Sequence, residues 1–173
     1  ETTTESFTVT IADGNGGTKD QLVTITVTGT NEAPTISAAE ATGDVTEDTD
    51  VVAGNLTATG SITFDDVDLI DTHSTSVTKD SGTLASGTLT ASVSDAATGA
   101  GDGTVAWTYT VADDATDYLA AGETATEKFT LTVHDNHGGS DDQLITISIH
   151  GSNEAISLFT ENADNVNFNN VLA

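Results

Sequence analysis

Residues 127–155 read EKFTLTVHDNHGGSDDQLITISIHGSNEA, and residues 5–33 read ESFTVTIADGNGGTKDQLVTITVTGTNEA. The two stretches stand a constant 122 residues apart without a gap, and sixteen of their 29 positions are identical. Unrelated stretches of that length would share about two or three, so this is an internal repeat. Within each copy, apolar and Thr residues alternate. Phe7, Val9 and Ile11 share one face, then Val23, Ile25 and Val27; Phe129, Leu131 and Val133 are followed by Ile145, Ile147 and Ile149. Period two with β-branched residues predicts half-buried strands. Between the strands, Asp13-Gly14-Asn15-Gly16-Gly17 and Asp135-Asn136-His137-Gly138-Gly139 supply residues that tolerate positive φ, so each copy is a hairpin.

A repeated hairpin implies an array of modules. On this reading residues 1–33 are the C-terminal hairpin of a preceding repeat. Residues 34–155 are one complete repeat, and 156–173 are an Asn-rich linker or the start of the next region. An isolated two-stranded hairpin is marginal in water. Residues 1–33 are therefore expected either to be mobile or to add to an exposed sheet edge of a neighbour. Pro34 follows Asn31-Glu32-Ala33 and suits a stiff junction, because it fixes its own φ and donates nothing to a ladder.

Between the hairpins, further strands are expected around Ile36, over 51–64 (Leu56, Ala58, Ile62, Phe64), around Val77 and Leu84, around Leu89 and Val93, and over Val105, Trp107, Tyr109 and Val111. Gly43–Asp50 reads as a short edge strand or loop, and 112–123 as a loop or short helical turn. No window carries a helical stripe. Seven or so short strands with frequent turns predict an all-β, immunoglobulin/cadherin-like β-sandwich module from a tandem array. Trp107 and Tyr109 could stack on a sugar, but they alternate with Val105 and Val111 and belong in the core.

The chain carries 28 Asp and Glu against three Lys and Arg, a formal net charge of −25. Charge of one sign at this density opposes compaction. Bound cations that neutralise some of the acids reconcile the charge with the strand patterning. No basic patch exists to meet nucleic acid, and no apolar run is long enough for a membrane helix, so no membrane insertion is expected. With no Cys, no disulfide can brace the fold.

Gly29-Thr30-Asn31-Glu32-Ala33-Pro34, Val45-Thr46-Glu47-Asp48, Phe64-Asp65-Asp66-Val67-Asp68-Leu69-Ile70-Asp71, Trp107-Thr108-Tyr109-Thr110-Val111 and Asp135-Asn136-His137-Gly138-Gly139, in this order, resemble the VCBS or cadherin-like repeats of large bacterial RTX-type adhesins. The resemblance covers nearly all of 1–155, and the tail 158–164 is similar to the lead-in of RTX-type regions. It implies a calcium-stiffened array, exported by type I secretion, acting in adhesion and biofilm at the bacterial cell surface or in its matrix. A related rhizobial adhering-protein group is implied to bind acidic exopolysaccharide. Two positions depart from the pattern: Glu32 stands where Asp is usual, and Ile156 stands where the first copy has Pro34.

Calcium takes six to eight oxygens, mostly carboxylate and carbonyl. One acidic loop rarely supplies them, whereas a junction between modules can. The candidate set is Asn31 and Glu32 from the linker, Glu47 or Asp48 from an early strand, Asp66 and Asp68 two apart in a loop, and Asp71 to complete it. The hairpin turns (Asp13, Asn15, Asp20; Asp135, Asn136, Asp141, Asp142) form a second candidate. They are not EF-hand loops, because the twelfth position from Asp13 is Thr24. Asp113, Asp114 and Asp117 form a third. His73, His134, His137 and His150 lack a third close ligand for zinc and are expected to be exposed. No nucleophile elbow or phosphate cradle is present, and paired carboxylates are everywhere, so no enzyme is expected. The expected function is a calcium-stabilised extracellular extender module, monomeric, whose partners are neighbouring repeats of its own chain. The alternatives are a calcium-dependent lectin-like module for acidic exopolysaccharide, and a structural filler that needs no calcium.

Overall fold

The structure, a computed structural model, describes residues 2–68, 70–82, 84, 86–97 and 102–153. The expected linker at 156–173 lies outside the described residues. Among the described residues, ten strands and one 3-10 turn make up the regular structure: β1 (Thr2–Ala12), β2 (Thr18–Thr28), β3 (Thr35–Ala39), β4 (Thr42–Thr46), β5 (Asn55–Asp65), β6 (Ser74–Ser81), β7 (Thr88–Asp95), β8 (Gly103–Ala112), the turn at Asp113–Ala115, β9 (Thr124–His134) and β10 (Ser140–His150). No α-helix occurs among the described residues.

Strands β3 to β10 form two four-stranded sheets, ordered β4-β10-β9-β6 and β3-β5-β8-β7. All neighbours are antiparallel except β4, which runs parallel to β10 with Val45 opposite Ile149. The first strand of the sandwich is thus split. Its β3 half joins β5, and its β4 half crosses to the other sheet. Trp107 Nε1 donates to Glu40 O at 3.0 Å and fixes the crossing point. Gly60 and Gly43 flank the same indole; a Cβ on Gly60 would strike it, and one on Gly43 would crowd it and strike Ile147 Cδ1. This is the all-β, immunoglobulin/cadherin-like sandwich read from the alternation, with Gly43–Asp50 contributing the parallel edge strand β4.

The core forms where the inward positions of the two sheets meet. Ile62, Phe64, Val105, Tyr109 and Val111 face Leu131, Val133, Ile145, Ile147 and Ile149, all fully buried. Each fully buried side chain of this size contributes about 1.5–3 kcal/mol, which is how so acidic a chain stays compact. Trp107 and Tyr109 are core residues at 1% and 0% exposure. Glu127 is the charged exception inside. It is fully buried and accepts from Lys79 Nζ (2.6 Å), Tyr109 Oη (2.9 Å) and Leu84 N (3.1 Å). Burial and then the Glu127 hydrogen bond push the Tyr109 hydroxyl pKa far up, so it stays a donor.

Strands β1 and β2 pair only with each other, in a separate two-stranded sheet. The hairpin does not extend either edge of the sandwich. Every described position in it is exposed.

Candidate metal centre

Two loops and the linker meet at one end of the sandwich. The first loop leaves β5 at Asp66 and reaches β6 at Ser74; the second, 135–139, joins β9 to β10. Asn136, held at φ +62°, laces them together: its Nδ2 donates to Thr72 O (2.8 Å) and its Oδ1 accepts from Ser74 Oγ (2.7 Å). The linker then docks on both. Asn31 Nδ2 donates to Asp135 Oδ2 (2.8 Å), Glu32 N to Asp68 Oδ2 (2.8 Å), and Ile36 N to Asp141 Oδ2 (2.8 Å). Gly139 is required here, because a Cβ would collide with the Asp135 carboxylate and with Ala33.

Asp66, Asp71 and Asp135 converge in this end, with one carboxylate oxygen from each lying within 4.8 Å of the others. They are 9%, 5% and 0% exposed, and these numbers matter because buried like charges are not screened by water. At about 4.8 Å and an effective dielectric of about 20, each ionised pair repels by about 3.5 kcal/mol. Partial relief comes from neighbours. Asp66 Oδ1 accepts from Asp68 N, and its Oδ2 lies 2.9 Å from His73 Nε2. Asp135 Oδ1 accepts from the amides of His137, Gly138 and Gly139. Burial pushes the Asp135 carboxyl up, but Asn31 and those three amides outweigh it and hold the pKa at about 2. Among the described residues no hydrogen bond reaches the buried Asp71 Oδ2, and its nearest polar partner is His137 Nδ1 at 3.0 Å. A cleft of about 190 Å³, lined by Thr30, Asn31, Asp68, Asp71 and His137, opens onto it.

The Asp135 shift has a sign that can be checked. Its folded pKa lies below the ordinary 3.8, so its contribution to stability is complete above about pH 4 and is lost as pH falls through about 2. In chelator, the melting temperature is expected to drop more steeply over that window for the unsubstituted chain than for Asp135→Asn. Equal slopes would show that the hydrogen-bonded carboxylate contributes nothing.

The residues expected at a single junction fall into two groups. Asn31, Glu32, Asp66, Asp68 and Asp71 gather at this end, where Asp135 of the hairpin-turn candidate joins them, whereas Glu47 and Asp48 do not and are found with Asp113 of the third candidate. Glu47, Asp48 and Asp113 lie together elsewhere, beside the last residue of β10: Glu47 N donates to His150 O, and Asp48 N to Asp113 Oδ1. Asp135 precedes the first residue of β10, and that strand has 11 residues. At about 3.3 Å per residue, the groups are about 33 Å apart, at opposite ends of the sandwich. Glu47 is fully buried; Oε2 accepts from Ser152 N (2.8 Å), and Oε1 has no hydrogen-bond partner. Ser152 Oγ also donates to Asp48 Oδ2 (3.1 Å). Asp114 and Asp117 are exposed. Asp141 caps the backbone of β3, as above, and exposed Asp142 bonds Thr132.

Sequence reasoning missed two participants. Ser152 could have been found, since it occupies the repeat position of Thr30. His73 could not, because it lies in a loop without periodicity. It is expected from the sequence to be exposed; instead its side chain is buried, its ring tilted against Phe64 with centroids 4.8 Å apart, and held by Asp66. Among the described residues no third His, Cys, Asp or Glu joins a His pair in a ligand cluster.

No family model matches the chain, and no curated protein matches it. Some solved structures resemble it at low identity. The N-terminal domain of PorA is 12% identical with a TM-score of 0.38, over 71% of this chain and 98% of that one. The zebrafish RET cadherin-like domains 1 to 4 are 14% identical with a TM-score of 0.40, over 88% of this chain and 34% of that one. The Enterococcus faecalis adhesin ACE, described as binding its ligands by a collagen hug, is 7% identical with a TM-score of 0.30, over 86% of this chain and 60% of that one. At such values they say nothing about the site.

Proposed function

We propose that the chain is a calcium-stabilised extracellular repeat module that extends a secreted bacterial adhesin. The observation that carries this is the buried Asp66–Asp71–Asp135 cluster, in which no hydrogen bond from the described residues reaches Asp71 Oδ2 and its one close partner is the half-exposed His137 ring at 3.0 Å. A buried carboxylate oxygen without a donor is costly unless a cation meets it. The donor set is hard oxygen, which suits calcium. Two oxygens on one calcium are at most about 5.2 Å apart, so a 4.8 Å cluster fits. Asp66, Asp71 and Asp135 would hold the ion, with Asp68 and the linker at Asn31 and Glu32 beside them. Calcium supplies charge neutralisation there and binds the folded form alone, so it stabilises by mass action.

The two acidic groups read as halves of one junction. Ser152 touches Glu47 and Asp48, and Thr30 holds the same place in the first copy of the repeat. The next residue, Asn31, is bonded to Asp135. In tandem modules, residues 30–32 would therefore bridge the Glu47-type group of one module and the Asp66-type group of the next. A cation shared across that bridge cancels repulsion and sets the angle between modules. Trp107 and Tyr109 are buried in the core and offer no stacking surface to a sugar, which removes one support for a glycan-binding reading.

Small-angle scattering tests this. In millimolar calcium the hairpin should be held in line with the sandwich, giving a single sharp maximum dimension. In chelator the distance distribution should broaden and shorten. Superimposable curves contradict the stiffening role. Titration with acidic polysaccharide in calcium should give no binding; saturable binding would favour the lectin-like alternative.

A further inference from the structure

Among the described residues, nothing covers the apolar face of the first hairpin. Phe7, Val9, Val23, Ile25 and Val27 are 40–52% exposed, and Ile11 is 66% exposed. The same chain shows what covers such a face. The pairing of β1 with β2 runs from Thr2↔Thr28 to Ala12↔Thr18, and that of β9 with β10 from Thr124↔His150 to His134↔Ser140. With the 122-residue offset these registers are identical. Local bonds repeat as well: Thr10–Asp20 and Thr132–Asp142 are both 2.6 Å, and Asp13 accepts from Asn15 N and Gly17 N as Asp135 does from His137 N and Gly139 N. The six apolar positions correspond to Phe129, Leu131, Val133, Ile145, Ile147 and Ile149, each 0–2% exposed against the sandwich. Glu5 corresponds to Glu127, the buried acid held by Lys79, Tyr109 and Leu84.

We propose that β1–β2 is a preformed docking element whose apolar face takes a sandwich body of the β3–β8 build belonging to another module, with Glu5 entering the Lys79–Tyr109 pocket of that body. It cannot take its own. In the docked place, β2 would end where β10 ends, about 33 Å from the start of β3. The seven steps from Thr28 to Thr35 span at most about 25 Å. The hairpin therefore docks on a body other than the one that follows it in the chain, that of a preceding repeat or of a separate chain, and in the second case the contact is head-to-tail and does not close. The inference rests on register and burial and does not depend on the metal.

The full-length chain tests it, in calcium throughout. Ile145→Asp/Ile147→Asp places two charges at fully buried positions and prevents the body from closing on β9–β10. Of the two repeated hairpins, only β1–β2 then keeps its apolar face. Sedimentation should show concentration-dependent linear oligomers, with the β circular-dichroism signal recovering at least twofold as they form. Adding Phe7→Asp/Val9→Asp should leave an unfolded monomer. A folded monomer, an unfolded monomer at every concentration, or assembly that survives the added substitutions would each overturn the proposal. So would association of the unsubstituted chain that Phe7→Asp abolishes, which would assign the face to a second hairpin.

Discussion

Glu127→Ala is expected to cost about 3–5 kcal/mol, lowering the melting temperature by about 10–20 °C. The carboxylate is fully buried and holds three donors at once: Lys79 Nζ from β6, Tyr109 Oη from β8 and the Leu84 backbone. Removing it leaves Tyr109 Oη and Leu84 N without an acceptor and Lys79 without its counter-charge. Lys79 also donates to Leu84 O and Gly87 O and lies 5.6 Å from the Phe129 ring centroid, so it cannot turn to water without releasing the loop before β7. Gly87 and Gly82 are packed so closely on the Glu127 side chain that a Cβ on either would collide with it. Glu127→Gln keeps the volume and an acceptor and should cost about 1–2 kcal/mol. Glu5→Ala, at the matching but exposed position of β1, should stay within about 0.5 kcal/mol. Thermal melts of the three variants read this directly. A loss below about 1 kcal/mol for Glu127→Ala would show that the network is not holding the β6–β7 loop.

Asp71→Asn should invert its effect with the metal. Without calcium, it removes one of three mutually repelling carboxylates from a buried cluster, so stability should hold or rise by about 1–3 kcal/mol. With calcium, it removes a charged ligand and with it most of the calcium-dependent gain, which for the unsubstituted chain is about 2.7 kcal/mol at a hundredfold excess over the dissociation constant. A substitution that stabilises in chelator and destabilises in calcium is hard to obtain from any packing effect. Paired melts in the two buffers check it. A change of the same sign and size in both would mean that Asp71 is structural only.

Alternation made most of the fold legible. Ile62, Val105, Trp107, Ile145 and their neighbours are buried because each strand shows its apolar face at period two, and the duplicate hairpin gave β9–β10 its turn and length. The split first strand was less visible. β4 buries Val45 against β10 with only five residues, too few for a pattern, and its parallel pairing depends on contacts more than 100 residues away. The acidic residues were recognised, but their division between two ends was not. Spacing along the chain does not report which way a strand runs, so Glu47 and Asp66, 19 positions apart, were grouped although a full strand length separates them. Asp113 was read with Asp114 and Asp117, whereas it turns to Asp48. Asp135 belongs by sequence to a separate candidate at the hairpin turn; the turn is there, and the carboxylate that builds it faces Asp66 and Asp71.

The central claim is that a cation completes the Asp66–Asp71–Asp135 cluster and so holds this acidic sandwich and its linker together. The most direct measurement is thermal unfolding of the unsubstituted chain by circular dichroism, in millimolar calcium and then in excess chelator. The account predicts a β spectrum in both and a melting point higher by about 5–15 °C in calcium, with the gain growing with the logarithm of calcium concentration. Identical melts would contradict it, leaving a sandwich whose core alone withstands its charge.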